Sequence, residues 1–377
     1  MKTFTLTVMT AALFAGTVAH AVPAVPTVGK LEQVATFRDA MPTGVTVTEG
    51  GRIFVNFPRW GDDVPFTVAE LRDGKPVPYP DSAFNAANPA DPAAGLISVQ
   101  SVVADGRGRV WLLDTAAPGF AAPTPGGAKL VAVDLATDKV VKTVVFPADV
   151  VLKSTYVNDM RVDFRSGAEG VAYVTDSSLS GPGAIIVLDL ATGRAVRRLS
   201  GHATTSPERG FAPVVEGKPL LADGKPFNVA SDGITLSPDG ATLYYSALTG
   251  RHLYSVPTKL LRDPSVTEAQ LAAAVRDLGA KGASDGLEAD AKGAVYAGDY
   301  EHNAIRQLKK DSKHWRTIAQ APNLLWPDTF SIGPDGYLYV IANQLHRQAG
   351  FNGGVDGRQK PYELLRVKID AAPAPTH

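Results

Sequence analysis

The chain has 0 cysteines in 377 residues, so no disulfide, thiolate nucleophile or cysteine-linked lipid is available to it. An excess of one charge is missing as well. With 37 Lys+Arg against 38 Asp+Glu, and no basic stripe interleaved with aromatics, nothing offers a field for a phosphate backbone, and no nucleic acid is expected as a partner. After the first 21 residues no run is apolar enough to fill the roughly 20 positions of a membrane span, so none is expected. There is no HExxH, no GxSxG, no phosphate-binding loop and no dinucleotide fingerprint. Histidine-held zinc, serine nucleophiles and phosphate cradling therefore have no support in the sequence.

What is present begins with Lys2, a mainly apolar stretch from Phe4 to Val18, and Ala19-His20-Ala21. A charged start, a short apolar segment and small residues at the cut are the order of a secretory signal. Residues 1–21 are expected to be removed near Ala21, leaving residues 22–377 in a secreted or periplasmic space. Without cross-links the fold must be held by its core, which a hydrophobic content of 45% permits.

Six times the chain runs through a polar residue, a short apolar strand, a glycine-centred turn and a second strand with an aromatic or apolar centre. The copies cover 42–57, 99–114, 157–176, 231–247, 284–299 and 327–343. Alternation bounded by such turns is the pattern of a β-hairpin. Most copies are followed by two more strand-like runs, as in KLVAVDLATDKVVKTVVF (129–146). Four strands repeated without intervening helices predict an all-β, six-bladed β-propeller in one domain, 22–377, because a lone four-stranded sheet covers both faces only against neighbours. The last copy has a third strand, 362–370, and no fourth, whereas LEQVATF (31–37) has no partner of its own. The two are expected to pair antiparallel, closing the ring and removing open sheet edges. One inserted helix is expected near 267–278, with Thr267 and Gln270 as a capping box, Leu271 and Val275 on one face, and Gly279 ending it.

Setting Phe54, Trp111, Tyr173, Tyr244, Tyr296 and Tyr339 in register and counting back to each first strand's start gives Thr43, Gln100, Asn158, Asp232, Asp285 and Asp328. All are polar. First strands are innermost in a propeller, so these six should ring one mouth of the channel, with Asp114, Asp176, Asp299 and Asn343 adding a layer from the second-strand ends. Aspartates from three consecutive blades repel one another unless a cation arrives or a carboxyl takes up a proton. A hard metal ion or an organic ammonium would satisfy them, with Gln100, Asn158, Thr329 and Asn343 as neutral groups around it. Asp232, Asp285 and Asn158 are the candidate donors for a divalent cation such as calcium, zinc or manganese. Each Asp taken alone reads first as the acceptor of its own turn, and only the ring as a whole points to a ligand site. His302 and His346 follow second strands of blades five and six and are expected as solvated loop side chains.

Several segments carry a more specific likeness: RIFVNFPRWGDDVPFTVAEL, SALTGRHLYSVPTKLLRD and LLWPDTFSIGPDGYLYVIANQLHR, spread over residues 31 to 370. In order and spacing they resemble the yellow/major royal jelly protein family. The resemblance implies a six-bladed propeller with a small-molecule pocket at one channel mouth, holding an amine or another small cationic or aromatic compound, or else a dopachrome-type isomerase. It matches Thr329 and Asn343 to the family's amine pocket, with Leu345 standing where the amine binders have an aromatic. The lack of cysteine resembles a bacterial-type branch. A looser likeness to the gluconolactonase/senescence-marker propellers implies the alternative of a divalent-metal-dependent lactone hydrolase. There Asp285 would be the catalytic base, Asp232 would take the place of a metal-binding Asn, and Thr43 would stand near the position of a metal-binding Glu.

Overall fold

The computed structural model describes residues 27–377, so the expected signal segment and its cut near Ala21 lie outside the described residues. Six four-stranded antiparallel sheets are arranged as blades. Their innermost strands are Gly44–Val47, Val99–Ala104, Val157–Asp163, Ser231–Leu236, Leu287–Ala289 and Pro327–Ile332. Each packs against the innermost strand of the next blade, and the sixth returns to the first.

The hairpin turns need backbone that only glycine adopts cheaply: Gly240 and Gly336 sit at φ +68° and +76°. Blade six is completed by Leu31–Phe37, which runs antiparallel to Tyr362–Lys368 from Leu31 opposite Val367 to Phe37 opposite Tyr362. The expected closure is therefore the one observed. The aromatic register also holds. Phe54, Trp111, Tyr173, Tyr244, Tyr296 and Tyr339 lie opposite Thr46, Val103, Arg161, Thr235, Glu288 and Ser331, and each of these partners follows its strand-start residue by three positions.

The inserted helix is shorter than expected. It spans Glu268–Ala274 with the Thr267–Gln270 capping box in place. Arg276–Ala280, including Gly279, forms the outermost strand of blade four instead. The blade's need for a fourth strand outweighs the helical pattern at its end, while Leu271 stays buried in the core beneath. Trp111 and Phe54 are likewise 1% and 0% exposed between blades. Among the described residues no helix is long and apolar enough to cross a membrane.

Candidate functional site

Two glycines bring the aspartates together. A Cβ on Gly233 would stand 2.3 Å from the Asp285 carbonyl oxygen, and one on Gly286 would stand 2.5 Å from that of Asp328. The residue after Asp232 and after Asp285 must therefore be glycine so that the next blade's Asp can approach, which places Asp232, Asp285 and Asp328 side by side. All three line one cavity of about 650 Å³, together with Gln100 and Asn158.

Their partners differ. Asp232 Oδ2 accepts from Ser177 Oγ at 3.0 Å. Asp285 Oδ2 accepts from the Trp326 indole N–H at 2.8 Å. Asp328 Oδ2 accepts from Asn343 Nδ2 at 2.5 Å, and its Oδ1 from Thr329 Oγ1 at 3.2 Å. Burial, then mutual repulsion, pushes the Asp232 and Asp328 carboxyls well up. Asp285 is raised to about 6, mainly by burial, against the pull of the Trp326 donor and a hydrogen bond with Asp232. Burial pushes the Lys281 amine down to about 7, against the pull of Asp299, Glu208, Asp232 and Asp285.

Asn158 is only 7% exposed, lines this cavity, and has no side-chain hydrogen bond within the described residues. Its amide atoms are not sealed from solvent, so its donors and acceptor face the open cavity and are free to meet a guest. Opposite the acids, Trp60 stacks on Phe120 with ring centroids 4.9 Å apart, and Phe120 lies 4.7 Å from Tyr156. Tyr156 accepts from Trp60 Nε1 at 2.9 Å and donates to Gln100 Oε1 at 3.0 Å. Phe227, Leu345 and Phe351 line the other side, and Arg358, held by Asp62 and Asp356, completes the lining. Cations and flat rings are both suited to such walls.

Not every expected side chain joins this cavity. Thr43 is fully buried and takes a hydrogen bond from Asn56 Nδ2 at 2.8 Å. Thr329 touches Asp328 but lines a second cavity, of about 490 Å³, at the opposite mouth. Of the expected second acidic layer, only Asn343 reaches the cluster. Asp114 is neutralised by Lys129 at 2.8 Å, Asp176 by Arg197 at 2.8 Å, and Asp299 contacts His302 and Arg306. These groups fasten blades. His302 is exposed, as expected, but His346 is buried, stacked on Trp326 and 3.2 Å from Glu216.

The two cavities share no lining residue. Between them Arg161 reaches from blade three to Leu287 O (2.6 Å) and Glu288 (3.4 Å) of blade five. The opposite mouth is crossed by residues 372–376, tied down through Ala372 O to Ala291 N (2.9 Å) and Thr376 O to Phe164 N (2.8 Å). Among the described residues no three His, Cys, Asp or Glu side chains are grouped to hold a metal ion. The position expected for a metal-binding Glu is the sealed Thr43, so these residues do not fit the divalent site of the lactone hydrolases.

Residues 97–376 match the family model described as major royal jelly protein. Protein yellow of Drosophila erecta is 31% identical over 255 residues, 61% of this chain and 43% of that protein. Protein yellow of Drosophila melanogaster is 30% identical over 255 residues with the same coverage. The chain thus spans under half the length of these curated relatives. Among solved structures, a calcium-binding regucalcin from Agrobacterium tumefaciens aligns with a TM-score of 0.55 at 14% identity, over 92% of this chain and 98% of that one. A protein described as a putative gluconolactonase aligns with a TM-score of 0.55 at 12% identity, over 93% of this chain and 95% of that one. At such identities the likeness concerns the fold alone.

Proposed function

Because the chain belongs to the major royal jelly protein family, we propose that it is an exported propeller that binds a small organic ammonium at one mouth of its channel. The observation that carries this reading is the meeting of Asp232, Asp285 and Asp328 with the unpartnered Asn158 amide in one cavity of about 650 Å³. That size suits a ligand of drug-like dimensions. The carboxylates would draw the ammonium, Asn158 and Gln100 would orient its polar groups, and the Trp60–Phe120–Tyr156 wall would cover an apolar or aromatic body. Export follows from the signal read at residues 1–21, with residues 22–377 as one mature domain.

A thermal-shift screen of amines, catechols and lactones against chelator-treated protein, alongside metal analysis of untreated protein, tests the proposal. Stabilisation by amines in metal-free protein is the expected result. Stoichiometric calcium, zinc or manganese with lactone turnover would replace this reading by that of a metal-dependent hydrolase.

A further inference from the structure

Trp326 stands apart from the other tryptophans of the chain. It is 0% exposed and sits at φ +54°, a conformation that a bulky side chain rarely adopts and that persists only where the surroundings hold it. Two rings stack on its indole. Tyr300 stacks at 4.2 Å and 9°, and His346 at 5.9 Å and 19°. Tyr300 is itself tied to Leu248 O at 2.8 Å, and His346 contacts Glu216, in the turn between the short paired strands Val214–Val215 and Lys218–Pro219, at 3.2 Å. This stack sets the direction of the indole N–H, and that direction ends on Asp285 Oδ2 at 2.8 Å.

An indole N–H donates and cannot accept. The buried Trp111 also donates to a carboxylate, Asp105 Oδ2 at 3.0 Å, but that acceptor lies in a hairpin turn outside the cavity, whereas the acceptor of Trp326 lines it. Asp232 and Asp328 take their hydrogen bonds from a rotatable hydroxyl and from the Asn343 amide. Of the three, only Asp285 is held by a ring donor that is itself fixed by stacked neighbours. We propose that Trp326 is the positioning residue of the mouth: it locks Asp285 so that its remaining oxygen receives the N–H of a monocationic ammonium ligand. This inference rests on the ammonium-binding reading above and adds which carboxylate is aimed and what aims it.

The test uses full-length protein labelled with 5-fluorotryptophan, whose fluorine spectrum should show four signals for Trp60, Trp111, Trp315 and Trp326. The signal lost in Trp326→Phe identifies Trp326; single Phe replacements of the other three identify it by elimination if that variant does not fold. Adding phenethylammonium chloride should move the Trp326 signal, and Asp285→Asn should move it without ligand. Trp326→Phe keeps an aromatic ring in the stack and should bind phenethylammonium about tenfold more weakly, the worth of one charge-assisted hydrogen bond, while its affinity for neutral 2-phenylethanol stays the same. An Asp285→Asn spectrum with the Trp326 signal in place overturns the positioning claim whether or not an ammonium binds. So does unchanged phenethylammonium affinity in folded Trp326→Phe. Failure of the wild-type protein to bind phenethylammonium, with the Trp326 signal still responding to Asp285→Asn, removes the ammonium ligand and leaves the indole–carboxylate lock standing.

Discussion

Replacing Asp232 by Asn separates a binding carboxylate from a structural one. Asp285 is raised from 3.8 to about 6, chiefly by burial and with a contribution from neighbouring Asp159. Two units amount to about 3 kcal/mol at 1.36 kcal/mol per unit. Asp232 is also raised well above 3.8, by burial first and then by Asp285 and Asp328. Both groups bind their proton more tightly folded than unfolded, so the stability that this proton confers is present below about pH 3.8. It is lost as the pH rises through about 6. At pH 8 the cluster is therefore a net cost, and Asp232→Asn removes one carboxyl from it. The Asn Oδ1 can still accept from Ser177, and the backbone contact of Thr175 Oγ1 to Asp232 O, 2.7 Å, does not change. The expected outcome in urea unfolding followed by circular dichroism is a gain between 0 and about 3 kcal/mol at pH 8, shrinking at pH 4. A loss of more than about 1 kcal/mol at pH 8 would show that Asp232 fastens its hairpin, and a gain that is larger at pH 4 would refute the electrostatic argument.

Trp111→Ala, at a side chain 1% exposed between blades two and three, should cost about 3–5 kcal/mol in the same assay; a loss near zero would mean the blade interface is not packed as described. Phe37→Ala should cost a similar 3–5 kcal/mol, because Phe37 ends the closing strand and packs edge-on against Phe57 of blade one at 5.6 Å; a loss below about 1 kcal/mol would show that closure does not depend on that strand. Ammonium affinity should fall as the pH drops through about 6, where Asp285 takes its proton, and titrations at pH 8 and pH 5 read this directly. Equal affinity at both would remove Asp285 from the site.

Much of the fold is legible in residue spacing because the propeller repeats one hairpin. A glycine turn and an aromatic centre recur at fixed offsets, so Gln100, Asn158, Asp232, Asp285 and Asp328 could be brought to one level by counting. The pairing of Leu31–Phe37 was likewise readable as a strand without a partner. What escaped is set by tertiary contact. Thr329 follows Asp328 by one position, and neighbouring residues on a strand point oppositely, which is why it turns to the other cavity. That signal was in the sequence. Asp114, Asp176 and Asp299 sit at strand ends like the mouth aspartates, yet basic side chains on the outer strands of their own blades claim them. The aromatic wall joins Trp60, Phe120 and Tyr156 from separate loops, and nothing in their spacing announces that they meet. Gly233 and Gly286 make room for the next blade's backbone, a role that appears only once the blades are packed.

The central claim is that the mouth takes a positive charge, and the most direct test is calorimetric titration of metal-free protein at pH 8 with phenethylammonium and with 2-phenylethanol, which share a ring and differ in charge. The account predicts measurable binding of the ammonium, weaker binding of the alcohol by at least about tenfold, and collapse of that preference in Asp285→Asn. Equal affinity for the two compounds, or an ammonium preference that survives Asp285→Asn, would contradict it.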